Sequence, residues 1–253
     1  MAFWGNMLGR LISSHPLPGQ PMPNEATYRK EIVQFGRMLC EGGFVAATDG
    51  NLSVRLDVDR VLVTPTCASK GRLKPADMVV VDMNGTPLSG RRAVTSELGM
   101  HLLIYRMRPD VKAIVHAHPP TATGFAAAGM ALTEPLVSEV VMGLGAIPLA
   151  RYGTPGTSEL AQSLEPYVPN YDAILMSNHG VVAYGQSIEQ AYMRMETVEH
   201  FAKIALVTHL LGRQKPLRGP DLEKLLVARV KYFGAKSAAT MAMPMMTPPE
   251  RAS

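Results

Sequence analysis

The chain has 253 residues, a formal net charge of +4 and a pI near 9.1, with 47% hydrophobic and 18% charged residues. This balance excludes a disordered chain and supplies enough apolar surface for one sizeable domain. Basic residues are scattered, with only Arg29-Lys30 and Arg91-Arg92 adjacent, so no nucleic-acid stripe is expected, and no apolar run reaches the roughly 18 residues that would suggest a membrane span.

Residues 1–24 read as a flexible tail, because Pro16, Pro18, Pro21 and Pro23 resist helix and central strand alike. The start of the chain lacks the basic region and apolar core of a secretory leader, and the two cysteines, Cys40 and Cys67, do not make a disulfide framework. Both features point to the cytoplasm. A helix is predicted over Asn24–Glu41, capped by Asn24, striped by Ile32, Phe35, Met38 and Leu39, and ended by Gly42-Gly43. Short strands follow at Asn51–Leu56, Arg60–Thr64 and Met78–Asp82, the last closed by the turn Met83-Asn84-Gly85-Thr86. A helix begins near Thr95 or Ser96, with Glu97 in its first turn, and stops before Pro109.

A strand is predicted over Val111–His116. The apolar segments Ala126–Met130 and Val137–Leu144 are too short to be typed by period. Ser158–Leu164 reads as a helix, and Ala173–Met176 and Val181–Tyr184 as paired strands around Ser177-Asn178-His179-Gly180. The strongest helical period runs over Ser187–Leu211, with Ile188, Ala191, Met195, Val198, Ala202 and Ala205 on one stripe. Adjacent strands with interspersed helices give an α/β chain with much antiparallel pairing. The residues after Lys236 carry no clear period and read as a second flexible tail, 237–253.

His116 and His118 flank one residue at a strand end locked by Pro119-Pro120. Alternation along a strand therefore sends both imidazoles to one face, making half of a metal site. His179 is the best donor for the other half. Each motif alone is equally well explained by buried imidazoles bonded to backbone or by a structural turn histidine. Glu97 near a helix N-terminus is explained by the helix dipole alone. Beside a metal and the hydroxyls of Thr95 and Ser96, it would also make a general base. Thr48-Asp49-Gly50-Asn51 and Thr64-Pro65-Thr66-Cys67-Ala68-Ser69-Lys70 suit plain hairpin turns or a phosphate cradle. His15, His101, His200 and His209 look less useful.

In order, Thr48-Asp49-Gly50-Asn51-Leu52-Ser53-Val54-Arg55, Val63-Thr64-Pro65-Thr66, Thr95-Ser96-Glu97-Leu98-Gly99-Met100-His101, His116-Ala117-His118-Pro119 and Asn178-His179-Gly180 resemble the class II aldolase/adducin family over roughly residues 26–212. The resemblance implies an α/β fold of the α+β type, with a central, mainly antiparallel sheet flanked by helices, in one catalytic domain over 25–236. It implies a homotetramer with active sites at subunit interfaces. Zn2+, or another divalent ion, is then expected on His116, His118 and His179, with Glu97 at the metal as acid/base. The phosphate of a small sugar phosphate is expected at Gly50, Asn51, Thr66, Cys67, Thr95 and Ser96, with Lys70 as an addition.

Two departures stand out. Cys67 occupies a position where an aldolase of the family has glycine. No tyrosine lies in Ala126–Gly145, where the aldolases carry one, and Tyr152 and Tyr232 are the candidates outside it. The expected activity is zinc-dependent cleavage of a ketose 1-phosphate, such as L-fuculose 1-phosphate, to dihydroxyacetone phosphate and an aldehyde. The family's alternatives are a phosphopentose 4-epimerase, which tends to carry aspartate at the Glu97 position, and a decarboxylase. An adducin-like interaction module is the alternative of another class, and such modules lose the metal ligands that this chain retains.

Overall fold

The computed structural model describes residues 24–233. In chain order the elements are α1 (Glu25–Glu41), β1 (Asn51–Arg55), β2 (Arg60–Val63), β3 (Val79–Asp82), β4 (Pro87–Ser89), α2 (Leu98–Met107), β5 (Ala113–Ala117), α3 (Pro120–Ala127), α4 (Ser138–Gly143), β6 (Leu149–Ala150), α5 (Ser158–Leu164), β7 (Ala173–Met176), β8 (Gly180–Gly185), α6 (Ile188–Leu210) and α7 (Gly219–Phe233). The eight strands form one sheet in the order β4-β3-β2-β1-β5-β8-β7-β6. Every pairing is antiparallel except that of β6 with β7. The mainly antiparallel sheet flanked by helices is therefore observed.

The central strands are buried along almost their whole length, because helices cover both faces of the sheet. On one face Leu52, Val54, Val115, Val181 and Ala183 pack against Ile32 and Leu39 of α1 and Met195, Val198 and Ala202 of α6. On the other, Val61, Ile114, Ile174 and Val182 pack against Met100 and Ile104 of α2 and Leu160 and Leu164 of α5. Alternation along β1 and β5 puts Leu52, Val54 and Val115 on the α6 face and Ile114 on the α2 face. Asn51, Ser53 and His116, at odd spacing from Leu52, Val54 and Val115 on their strands, belong with Ile114 to the α2 face.

Local signals account for most boundaries. The Asn24 side chain accepts from Thr27 N–H at 3.0 Å and starts α1, and the Ser187 hydroxyl accepts from Gln190 N–H at 3.1 Å and starts α6. Four elements escaped the sequence reading, among them α3, of which only the last two residues fall in the untyped segment 126–130. β4 is an edge strand with all three residues exposed, so it has no apolar signature. β6 has only two residues. α7 follows the last segment with a strong period, and it docks by sending Arg229 to the carbonyls of Val141 at 2.6 Å and Leu144 at 3.2 Å, at the C-terminal end of α4. The untyped segment 137–144 is largely α4, whereas 126–130 is the end of α3 and the turn after it. The expected tails, 1–24 and 237–253, lie outside the described residues apart from Asn24.

Candidate metal centre

α2 starts at Leu98, later than expected. Glu97 is its N-cap residue, with φ −99° and ψ 20°, and its carboxylate makes no capping bond. The backbone turns there, and the carboxylate swings toward the end of β5. Its Oε2 lies 3.1 Å from His116 Nε2 and its Oε1 lies 3.1 Å from His179 Nε2. Asn51 Nδ2 donates to Oε2 at 2.7 Å. The Oε1 contact is an ion-pair distance without hydrogen-bond geometry, and Oε1 accepts no hydrogen bond in this arrangement.

The three predicted histidines converge. His116 is fully buried at the end of β5, and His118 follows one residue past the strand. His179 stands in the three-residue loop joining β7 to β8, where Asn178 takes φ +55° and His179 N–H donates to the Met176 carbonyl at 3.0 Å. One ring nitrogen from each of the three lies within 4.8 Å of the others. Gly180 makes room for them, since a Cβ there would stand 2.5 Å from His118 Cδ2.

The donor chemistry fits a cation. His116 Nδ1 lies 2.9 Å from the Val181 carbonyl, an acceptor only, so Nδ1 carries the proton and Nε2 presents a lone pair. That lone pair faces the Glu97 carboxylate, and His118 Nε2 stands 3.1 Å away. Asp49 Oδ2 lies 3.4 Å from His118 Nδ1, which favours the proton on Nδ1 and frees His118 Nε2 as well. Lone pairs and a carboxylate crowded in a buried space repel one another until a proton or a metal ion sits among them. The electrostatics follow the same logic. Burial opposes the charge on Glu97, yet His116 and His179 outweigh it and hold the carboxyl far below its usual range. Burial likewise opposes a charge on His116, and Glu97 reverses the balance and raises it. His118 is pushed down to about 4 by burial and by the two neighbouring imidazoles. Three imidazoles and a carboxylate suit zinc and several other divalent ions.

The expected phosphate residues fall on three chain segments stitched together beside this centre. Thr66 N–H donates to the Ala93 carbonyl at 3.1 Å, and Pro65 bridges Val94, so the Thr66 and Thr95-Ser96 segments run side by side. The Thr95 hydroxyl accepts from Glu97 N–H at 3.3 Å, whereas Ser96 is exposed. Lys70 is buried, and its Nζ donates to the carbonyls of Thr48 at 2.7 Å and Ala68 at 2.5 Å, tying the Thr48–Asn51 turn to the Thr66–Ser69 turn. Gly50 takes φ +71°, and a Cβ there would meet the His116 carbonyl oxygen at 2.6 Å. Cys67 takes φ +52°, the left-handed region that favours glycine, and its side chain is exposed. The Asn51 side chain is committed to Glu97 on one side and to His101 on the other.

His101, Ser53, Tyr105, Asp49 and Glu199 were not singled out from the sequence. The signal for His101 was its place four residues beyond Glu97, and for Asp49 its place inside the Thr48–Asn51 string. Tyr152 and Tyr232 are 57% and 50% exposed, so neither is packed into the core of this protomer.

A family model described as Class II Aldolase and Adducin N-terminal domain matches residues 30–206. The chain is 34% identical over 199 residues to a 5-deoxy-D-ribulose 1-phosphate aldolase of Bacillus thuringiensis serovar kurstaki, covering 78% of this chain and 92% of that protein. It is 38% identical over 181 residues to a 3-oxo-tetronate 4-phosphate decarboxylase of Haemophilus influenzae, covering 70% and 86%. A solved L-fuculose 1-phosphate aldolase superposes with a TM-score of 0.73 at 32% identity, over 78% of this chain and 93% of the other.

Proposed function

We propose that this chain, which belongs to the class II aldolase/adducin family, is a metal-dependent lyase that cleaves a ketose 1-phosphate to dihydroxyacetone phosphate and an aldehyde. The observation that carries this reading is the buried Glu97 carboxylate set between His116 Nε2 and His179 Nε2, each at 3.1 Å, with His118 alongside. An interaction module has no use for such a costly group.

The three histidines would hold zinc or another divalent ion, and such an ion supplies a Lewis acid for the substrate carbonyl oxygen as negative charge builds there. Glu97 handles the proton. In cleavage the C3–C4 bond breaks, the C4 hydroxyl gives up its proton as the aldehyde forms, and Glu97 delivers a proton to C3. In condensation its carboxylate removes that proton. The stitched segments carrying Gly50, Asn51, Thr66, Cys67, Thr95 and Ser96 position the phosphate, with Lys70 beneath them, so the bond to be broken is presented in one orientation. Tyr152 or Tyr232 of a neighbouring subunit would serve the aldehyde side, and a homotetramer in the cytoplasm belongs to this reading. Support for assembly comes from Leu206, Val207, Leu210 and Leu211, which leave an apolar patch exposed at the end of α6.

A second reading, decarboxylation of a 3-oxo acid phosphate, is favoured by the 38% identity to a protein of that name and by the missing tyrosine. Loss of carbon dioxide would leave the same carbon for Glu97 to protonate. The test offers L-fuculose 1-phosphate, 5-deoxy-D-ribulose 1-phosphate and 3-oxo-tetronate 4-phosphate to zinc-loaded and chelator-treated protein. Zinc-dependent release of dihydroxyacetone phosphate and an aldehyde from one of the two ketose 1-phosphates is the expected result. Dihydroxyacetone phosphate formed together with carbon dioxide from 3-oxo-tetronate 4-phosphate, and from neither ketose, would replace it with the second reading, and silence on all three with zinc bound would defeat both.

A further inference from the structure

A line of buried polar side chains runs from Glu97 into the interior between β1 and α2. The strand contributes Asn51 and Ser53, two residues apart on one face, and the helix contributes His101 and Tyr105, four residues apart on one side. Asn51 Nδ2 meets Glu97 Oε2 at 2.7 Å, and Asn51 Oδ1 meets His101 Nε2. His101 Nδ1 meets Ser53 Oγ at 2.7 Å, and Ser53 Oγ meets the Tyr105 hydroxyl at 2.8 Å. At the far end the Arg55 guanidinium lies 4.7 Å from the centre of the Tyr105 ring. His101 has no exposed surface, and Tyr105 is 1% exposed.

Each link has one allowed direction. The carboxylate of Glu97 only accepts, so the Asn51 amide must turn its N–H toward it and its oxygen toward His101. His101 must then carry its proton on Nε2. A neutral ring leaves Nδ1 as an acceptor, so the Ser53 hydroxyl donates to it, and the Ser53 oxygen in turn accepts from Tyr105. Burial, with His116 nearby, pushes His101 down to about 3, so the ring stays neutral. All four protons therefore point toward Glu97, and each bond polarises the next in the same sense. Asn51 alone could flip, but the His101 N–H bars this. A flipped amide would set N–H against N–H on one side and oxygen against carboxylate on the other.

We propose that Asn51, His101, Ser53 and Tyr105 form a one-way hydrogen-bond relay that orients Glu97 and stabilises its charge, with His101 locked as the neutral Nε2–H tautomer. They are positioning residues acting through Glu97, and this rests on the reading of Glu97 as the acid/base. The relay differs from ordinary core packing because the direction of its bonds matters, and that difference is measurable.

The experiment has two arms. In the first, long-range nitrogen–proton NMR of histidine-labelled wild-type protein reads the His101 tautomer. A proton on Nε2 that persists between about pH 5 and 8 is expected, whereas a proton on Nδ1 or a titrating ring overturns the relay. This arm needs no substrate, so it judges the relay even where every phosphate in the activity test is refused. That refusal would count against the acid/base reading alone. The second arm compares His101→Gln, whose amide N–H reproduces the Nε2 donor, with His101→Asn, which reaches only the Nδ1 position. His101→Gln should keep kcat within about threefold of wild type. His101→Asn should lower kcat about tenfold or more, with KM and metal content nearly unchanged. Equal kcat in the two folded variants overturns the proposal. Ser53→Ala, a smaller change, covers the case in which His101→Asn does not fold: kcat about threefold lower or more is expected, and unchanged kcat overturns the relay.

Discussion

A Cβ built on Gly180 would stand 2.5 Å from His118 Cδ2, 2.7 Å from the Ala117 carbonyl oxygen and 3.4 Å from His116 Cε1. The contact to backbone cannot be relieved by a side-chain rotation, so Gly180→Ala must move β5 or β8 and with it two of the three imidazoles. Zinc affinity, measured by competition with a chromophoric chelator, should fall at least about tenfold. Wild-type affinity in the variant would show that the histidines do not hold the ion. Lys70 gives a second test at this scale. Burial pushes its ammonium from the ordinary 10.5 down to about 8, although Asp49, Cys67 and Glu97 pull the other way. Because the folded value lies below the unfolded one, the charged form costs stability below about pH 8, and that cost is relieved as pH rises from 8 toward 10.5. Affinity for a phosphorylated substrate moves in the opposite sense, since a neutral amine attracts phosphate less. KM should therefore climb as pH passes about 8, and Lys70→Met should remove that climb. A KM that stays flat in the wild-type enzyme would place Lys70 outside phosphate recognition.

At the scale of elements, the site depends on how α3 is held. Pro119 stands at its N-cap position and offers no side-chain cap. Glu199, 2% exposed on α6, takes that role from across the fold. Its carboxylate accepts from Thr121 N–H at 3.1 and 3.2 Å and from Ala122 N–H at 2.9 Å. Thr121 follows His118 by three residues, so this bond also anchors the segment that carries the imidazole. Glu199→Ala strands those donors and should cost about 1–3 kcal/mol, lowering Tm by about 2–10 °C. Glu199→Gln, which keeps an acceptor, should recover part of the loss, and a Tm equal to wild type in the alanine variant would refute the anchoring role. The sequence could show α3 only dimly, because its cap comes from a residue 78 positions away. The same holds for Glu97. The helical pattern after Ser96 is plain, but only the turn of the backbone at Glu97 separates a residue inside the helix from an N-cap whose carboxylate looks elsewhere.

Across the whole molecule, the unfolded chain scatters His116, His118, His179 and Glu97, and the fold gathers them with lone pairs opposed. An ion bound only to the folded state stabilises it by mass action, by about 2.7 kcal/mol at a hundredfold excess over Kd, or roughly 5–10 °C in Tm for a chain of this size. Stripping the ion with a chelator should lower Tm by that order and restoring zinc should reverse it. Identical melting with and without zinc would leave the centre without a metal. Period, caps and continuous apolar runs suffice for the sheet-and-helix class, the boundaries of α1 and α6 and the central strands, whereas His116, His118, His179 and Glu97 were ambiguous one by one and became a candidate set only through the resemblance of the ordered motifs to the family. Tertiary structure alone decided that Asn51 turns its amide to Glu97 and His101, that Lys70 ties two turns through their carbonyls, that Glu199 caps α3, and that the short β6 pairs in parallel with β7. The physical reason is distance along the chain. A hydrogen bond between residues 46 or 78 positions apart leaves no period and no composition to read, and its direction exists only once both partners are buried together.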